Sequence, residues 1–313
     1  MYPLQQANIQ PDFNKDPIDA LLAEGGHGVL AVIVGVEGPS YRPLGAVMAI
    51  MPDGGCIGSL SSGCVEADLV IHAKSTLANN SPLQLRYGKN SPYFDIQLPC
   101  GGGLDILLIP NPNIKVLVAL NSMRNMRQVC VLALDVEQGS CSLAGVDRPT
   151  GLENGVFYVR FVPQIRFFIF GKGPEASTFA SLVNSINYPC ILISPDQETL
   201  HWVEILGVRT ETISCPTIPD GLLIDRWTAV VLFFHDHSWE PGILKKALKS
   251  HAFYIGAQGS RRARDMRYAD LLAQGVSEID IARLHGPIGL IPSARDARTL
   301  AISVLAEVLQ VAS

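Results

Sequence analysis

Phe167-Phe168-Ile169-Phe170-Gly171-Lys172-Gly173-Pro174-Glu175-Ala176 decides the fold of the second half of this chain. The apolar run predicts a short buried strand, and the glycine turn behind it leads into a helical stretch. Gly171-x-Gly173-x-x-Ala176, after a strand and before a helix, has the context of a phosphate-binding turn. Pro174 at a first helical position loses only an N–H that lacks an intrahelical partner anyway. Ile191 to Ser194 predicts a second strand, and Asp196, 20 residues past Ala176, stands where a ribose-binding carboxylate would stand. Thr228 to Phe234 and Phe253 to Ile255 predict later strands with helices between, and Leu300 to Leu309 closes the chain as an amphipathic helix. This alternation predicts a Rossmann-like parallel sheet with helices on its faces. The glycine turn also reads as a tight strand-to-helix connection that binds nothing.

Working outward from that turn, His235-Asp236-His237 follows the strand Thr228 to Phe234. Open α/β sheets bind ligands at the C-terminal edge of their strands, so this segment is either a ligand or metal contact or a polar strand end. Gly256-Ala257-Gln258-Gly259-Ser260-Arg261-Arg262 follows the next strand. Its glycines, hydroxyl and paired arginines suit a phosphate or other anion, or mark an exposed basic helix start. His285-Gly286-Pro287-Ile288-Gly289-Leu290 is a further loop, abutting the same edge or serving as a structural turn.

The character changes near Pro163, which places a domain boundary between Val162 and Ile165. The expected organisation is a flexible tail over 1–15, an N-terminal domain over 16–163 and the Rossmann-like domain over 164–313. Asp16 followed by Pro17 predicts a helix N-cap and first helical residue, with Gly25-Gly26 as the stop. Val29 to Val36, Leu104 to Ile109, Val129 to Leu134 and Phe157 to Val162 read as strands. Ala46 to Ile50 and Cys56 to Ser59 flank the hairpin signal Pro52-Asp53-Gly54-Gly55, and Cys64 to Leu77 reads as a helix. This half is mixed α+β with glycine-rich joints.

Two cysteine–glycine elements stand out there: Gly58-Ser59-Leu60-Ser61-Ser62-Gly63-Cys64-Val65-Glu66 and Leu98-Pro99-Cys100-Gly101-Gly102-Gly103. Each puts a thiol in a loop whose glycines let a bulky ligand approach the backbone. Gly63-Cys64 sits where a loop becomes a helix, so unpaired N–H groups and the helix dipole favour anions and a lowered thiol pKa. Glu66 either hydrogen-bonds a ligand or caps its own helix. Soft thiolates suit thiophilic metals, but two cysteines do not make a structural zinc site.

Composition narrows the function classes. The 313 residues suggest about two domains, and 48% hydrophobic residues are ample for packed cores. A net charge of −5 argues against nucleic acid as the main partner. There is no basic run for a membrane surface, no signal-peptide core and no apolar run of transmembrane length. Seven scattered cysteines without a Cys-x-x-Cys fit a reducing cytoplasm better than a disulfide framework.

Taken together these residues resemble the XdhC/CoxI family of maturation factors for molybdenum hydroxylases. The resemblance runs from Val36-Glu37-Gly38-Pro39-Ser40, with Arg42 and Gly45, through Ser62-Gly63-Cys64-Val65-Glu66 and Cys100-Gly101-Gly102. It continues through Gly171-x-Gly173, His235-Asp236-His237 and Tyr254-Ile255-Gly256-x-x-Gly259-Ser260-Arg261-Arg262, and ends with Gly286-Pro287-Ile288-Gly289-Leu290 and Ile302-Ser303-Val304-Leu305-Ala306-Glu307. Ser62 departs from the family's usual glycine, and Glu240 stands where aspartate is expected.

The resemblance implies a carrier that binds molybdenum cofactor, favours its sulfurated form and helps insert it into a client such as xanthine dehydrogenase, without turnover of its own. It makes Cys64 and Cys100 the lead cofactor contacts and candidate molybdenum contacts. The remaining expected contacts are Arg42, Ser62, Gly63, Glu66, Gly101 and Gly102 in the first domain, and Gly171, Gly173, Asp196, His235, Gly259, Ser260 and Arg261 in the second. A cysteine desulfurase and a second copy of the chain are the further expected partners. Cys64 and Cys100 are expected to face the C-terminal edge of the parallel sheet across a cleft lined by His235, Ser260 and Arg261. The alternative is an NAD(P)-dependent oxidoreductase built on Gly171-x-Gly173-x-x-Ala176, although no Tyr-x-x-x-Lys dyad is present. A metal hydrolase using His235 and His237 lacks a His-Glu-x-x-His motif or an evident third ligand.

Overall fold

The computed structural model describes residues 15–61, 63–92, 98 and 101–312, with Cys64 described by its backbone alone. The expectations placed on residues 1–14, on Ser62, on Cys100 and on the Cys64 thiol lie outside the described residues. The chain divides into two compact units after Pro163.

The first unit opens with α1 (Pro17–Ala23), capped by Asp16, whose Oδ1 accepts from the amides of Ile18 and Asp19 at 2.9 and 3.2 Å. Then come β1 (Val29–Glu37), β2 (Val47–Ile50), β3 (Cys56–Ile57), α2 (Cys64–Asn79), β4 (Leu83–Gly88) and β5 (Gly103–Pro110). These strands form one antiparallel sheet in the order β3-β2-β1-β5-β4. The expected hairpin closes at Ile50↔Cys56, but its second strand ends at Ile57 rather than Ser59. Gly58 turns the chain there with φ +84°, and a Cβ on it would meet Pro17 Cγ at 2.9 Å.

A second sheet follows α3 (Ile114–Asn125) and consists of β6 (Cys130–Asp135), β7 (Cys141–Ala144), β8 (Gly151–Glu153) and β9 (Val156–Phe161) in the order β7-β6-β9-β8. Alternation in β1 explains its unbroken apolar run. Val29, Ala31 and Ile33 pack beneath Val65, Leu69 and Ala73 of α2. Leu30 and Val32 pack on the other face with α1, α3 and the small sheet. A sheet covered on both faces needs apolar residues at odd and even positions alike.

The second unit is a six-stranded parallel sheet of β10 (Arg166–Gly171), β11 (Cys190–Ser194), β12 (Arg209–Thr212), β13 (Thr228–Phe233), β14 (Tyr254–Ala257) and β15 (Leu284–His285). Their order, β12-β11-β10-β13-β14-β15, is the doubly wound arrangement, with its reversal between β10 and β13. One face carries α4 (Pro174–Ser185), α5 (Gln197–Glu204) and the last helix of the chain. The other carries α6 (Glu240–Leu248), α7 (Arg261–Ala273) and α8 (Glu278–Ile281). The last helix, α9 (Ala297–Ala312), extends beyond the expected Leu300 to Leu309 because Asp296 caps it, accepting from the amides of Arg298 and Thr299. Every strand of this sheet ends on one edge, and each of the loops singled out above in this half follows such an end.

Candidate functional site

In the first unit the loop before α2 folds around Glu66. Its Oε1 accepts from Ser59 Oγ, Leu60 N and Ser61 N at 3.0, 3.1 and 2.7 Å, and its Oε2 accepts from Gly63 N at 2.7 Å. Glu66 is 1% exposed. Of the two readings of this residue, capping its own loop and helix is the one its contacts support. Both oxygens are occupied within the protein, so Glu66 acts on any ligand by positioning the loop.

Gly63 is the N-cap of α2 at φ +105°, with no described atom within 4 Å of an added Cβ. Cys64 follows as the first helical residue. Ser61 Oγ is buried without a hydrogen-bond partner among the described residues. Cys56, close behind the loop, has its thiol pushed up to about 11 by burial and then by the charges of Glu66 and Asp53.

Two of the three glycines after Cys100, Gly102 and Gly103, make room for the protein itself. A Cβ on Gly102 would lie 2.3 Å from Pro39 O and 2.9 Å from Glu37 O; one on Gly103 would lie 2.6 Å from Arg86 Nη2. The close approach they permit is of the protein to itself, and it draws the Pro39–Arg42 loop against the start of β5. Gly101, at φ +70°, has no described atom within 4 Å of an added Cβ. Arg86 clamps the same end of the sheet, pairing with Glu37 and with Asp105 Oδ2 at 2.8 Å, while Lys89 Nζ pairs with Glu37 Oε1 at 2.6 Å. Lys89 and Arg86 hold the Glu37 carboxyl below its usual range. Arg42 is exposed, and its turn is held by Ser40 Oγ donating to Arg42 O at 2.7 Å. Leu60 and Val65, flanking the first loop, share a core with Leu98 and Leu104, flanking the second.

At the parallel edge of the second unit, a cavity of about 470 Å³ opens at the strand-order reversal. Lys172 and Gly173 enter it from β10, Asp196 from β11, and His235, Asp236 and Trp239 from β13. This is the crevice where doubly wound sheets hold ligands. Asp196 is already engaged: it caps α5, accepts from Thr199 N and Oγ1 at 3.0 and 2.5 Å, and pairs with Lys172 Nζ at 3.2 Å. The Thr199 bonds, and then Lys172, hold its carboxyl below the usual range. Gly173 N donates to Thr199 Oγ1 at 2.9 Å. Gly171 has no room for a side chain, since a Cβ would lie 2.7 Å from Phe233 O and 2.8 Å from the Ala176 methyl.

The two histidines take separate carboxylates, His235 Nε2 lying 3.4 Å from Glu175 and His237 Nδ1 3.1 Å from Glu240. Among the described residues no group of three or more His, Cys, Asp or Glu could hold a metal ion. Ser260 is the N-cap of α7, its Oγ accepting from Ala263 N at 3.1 Å, and Arg261 begins the helix exposed.

Sequence reasoning missed the buried pair beneath that turn. Arg267 donates from Nε and Nη2 to the Glu240 carboxylate at 2.7 and 3.1 Å, and from Nη2 to Gln258 O at 2.8 Å. Arg267 Nη1 and Gln258 Oε1 are buried without partners. Glu240, noted only as a departure, is thus the counter-ion of an arginine two turns into another helix. Nothing in the spacing of Arg267, on a polar helix that also carries Arg261, Arg262 and Arg264, announces that role.

The comparisons agree with this architecture. Residues 21–88 match a model described as the XdhC and CoxI family, and residues 167–308 match one described as the XdhC Rossmann domain. A protein of Escherichia coli K12 named "Molybdenum cofactor insertion chaperone PaoD" is 34% identical over 294 residues, covering 94% of this chain and 86% of its own. A Bacillus subtilis 168 protein named as a probable xanthine dehydrogenase subunit is 24% identical over 94% of this chain and 96% of its own. The crystal structure titled as a xanthine dehydrogenase from Bacillus halodurans shares the fold, with a TM-score of 0.75 over 95% of this chain and 96% of that one, at 23% identity. With both units matched and the 34% identity sustained over nearly its whole length, the chain belongs to the XdhC and CoxI family.

Proposed function

We propose that this protein carries molybdenum cofactor, keeps it in its sulfurated form and delivers it to a molybdenum hydroxylase of the xanthine dehydrogenase type. The observation that carries the reading is the 34% identity, over 94% of the chain, to a protein named as a molybdenum cofactor insertion chaperone. The site chemistry fits such a cargo, which has a metal–dithiolene end and an anionic phosphate tail. Among the described residues none fills the space beside Gly63 and Gly101, each next in sequence to a lead cysteine, and none bonds the buried Ser61 hydroxyl.

Cys64 opens α2 as its first helical residue. In this reading Cys64, Cys100 and Arg42 are the first unit's contacts to the cofactor, and Ser260 and Arg261 are the second unit's candidate contacts to an anion. The protein's own groups bind, orient and shelter; none turns over. A cysteine desulfurase as sulfur donor, a second copy of the chain and a cytoplasmic location complete the proposal. The second reading, an NAD(P)-dependent oxidoreductase, is favoured only by the cavity beside Asp196.

Full-length protein loaded anaerobically and passed over gel filtration tests the first reading by its bound molybdenum. Cys64→Ala and Cys100→Ala should lose most of it, while Cys130→Ala and Cys190→Ala, whose thiols burial pushes up, should retain it. Equal retention by all four variants would sink the proposal. Hydride transfer from NADH by the unloaded protein would favour the second reading.

A further inference from the structure

We infer that the phosphate-binding turn of the Rossmann unit is the one between β14 and α7, not the glycine turn between β10 and α4, and that it takes a phosphate or pyrophosphate group.

The glycine turn has the right sequence but few free donors. Lys172 N donates to Phe233 O at 3.1 Å, Gly173 N donates to Thr199 Oγ1, and Pro174 has no N–H. The amides of Glu175 and Ala176 that remain belong to a first turn that carries the Glu175 carboxylate, which also lies 3.4 Å from His235 Nε2. Asp196 stands beside them, and the nearby cation, Lys172, is paired with it. A phosphate arriving here would meet two carboxylates at a helix start whose donors are mostly taken.

The turn after β14 has the opposite character. Gly259 takes φ +141°, Ser260 caps a helix of 13 residues, and no acidic residue lies in its first turn. Among the described residues the amides of Ser260, Arg261 and Arg262 have no partner, nor do the exposed guanidinium groups of Arg261 and Arg262. Free amides at a helix start, with arginines beside them, favour an oxyanion.

An independent observation points the same way. Arg267 reaches back from the second turn of α7, and its guanidinium is 3% exposed. Nε and Nη2 are fully engaged by Glu240 and Gln258 O, but Nη1 has no partner. A Cβ on Gly259 would lie 3.4 Å from Nη2, and a Cβ on Gly286 would lie 3.5 Å from Nη1. The guanidinium edge therefore sits between two loops that both lack a side chain to cover it. Gln258 Oε1 is the second orphan in this place, and its amide can present a donor instead once rotated. Buried polar groups are nearly always bonded, so an unpaired guanidinium N–H between glycine loops marks where a ligand oxygen belongs. His237, next in the chain to Asp236 of the cavity wall, has its Cε1 3.7 Å from the Cβ position of Gly259.

The phosphate can come from the pterin cofactor's tail, an assignment that rests on the proposed function, or from a nucleotide. Calorimetry on the full-length protein with inorganic pyrophosphate as probe tests the site without either. Wild type should bind, and Arg261→Ala/Arg262→Ala should weaken binding at least about tenfold, the loss of charge-assisted contacts. Ser260→Asp keeps the helix cap while adding a negative charge, so it should weaken binding with little change in thermal stability. Lys172→Ala should stay within about twofold of wild type. Displacement of pyrophosphate by NADH identifies a nucleotide site, and displacement by released molybdenum cofactor identifies the pterin phosphate. Three results overturn the inference: no heat up to about 10 mM pyrophosphate, loss of binding in Lys172→Ala with retention in the arginine variant, or displacement by neither organic ligand.

Discussion

Glu66 shows how a single residue makes a loop into a scaffold. Four donors converge on its buried carboxylate, three of them backbone amides of the loop that presents Cys64. The same arrangement is what a bound anion would otherwise provide at a helix N-terminus. The protein thus carries its own anion there and leaves Gly63 exposed at the helix start. Glu66→Gln replaces one acceptor oxygen with an NH₂ that faces N–H groups, leaving at least one buried donor unsatisfied. This should cost about 1–3 kcal/mol, read as a lower urea midpoint, and should loosen the loop enough to reduce cofactor retention. An unchanged midpoint would mean that the loop does not depend on this carboxylate. The sequence offered Glu66 as ligand contact or cap without deciding, because both roles need the same residue three positions past Gly63. Only the positions of the Ser59, Leu60 and Ser61 donors decide between them.

At the scale of elements, what was legible depended on whether a segment's own pattern settled its structure. The strand–glycine–helix run from Phe167 to Ala176 could be read because an apolar run, two glycines and a proline all agree. The helix α3 escaped because Ile114, Val116 and Val118 give a β-branched start that competes with its helical period. The strands β7 and β8 are short and largely exposed, so no apolar alternation marks them. The glycines after Cys100 were legible as a close approach, but not what approached: Pro39 and Glu37 arrive from more than 60 residues away.

A second long-range tie fastens α9 to the loop after β15, where Glu307 accepts from Gly289 N and pairs with His285 Nδ1 at 3.2 Å. Burial alone would raise the Glu307 carboxyl, but the His285 and Gly289 bonds outweigh it and hold the group below 4.5. A carboxyl lowered on folding contributes stability above its unfolded value and loses it as pH falls through the folded one. Stability should therefore decline below about pH 4.5, and Glu307→Gln should flatten that acid limb while lowering stability at neutral pH. Identical acid limbs for the two proteins in thermal melts would remove Glu307 from the account.

For the whole molecule, the cores settle what each half can do alone. The clusters on the two faces of the antiparallel sheet contain only residues before Pro163, and those on the two faces of the parallel sheet contain only residues after it. Each half closes its own sheet on both sides, and each is within the size range of domains that fold independently.

Residues 16–163 and 164–313, expressed separately, should each give a cooperative melt and native-like circular dichroism. The arginine turn at the start of α7 is built entirely from residues of 164–313, so that half alone should bind pyrophosphate as tightly as the full chain does, within about twofold. Calorimetry on the separately expressed half checks this, and loss of pyrophosphate binding by a 164–313 that still melts cooperatively would overturn the assignment of the phosphate to that turn.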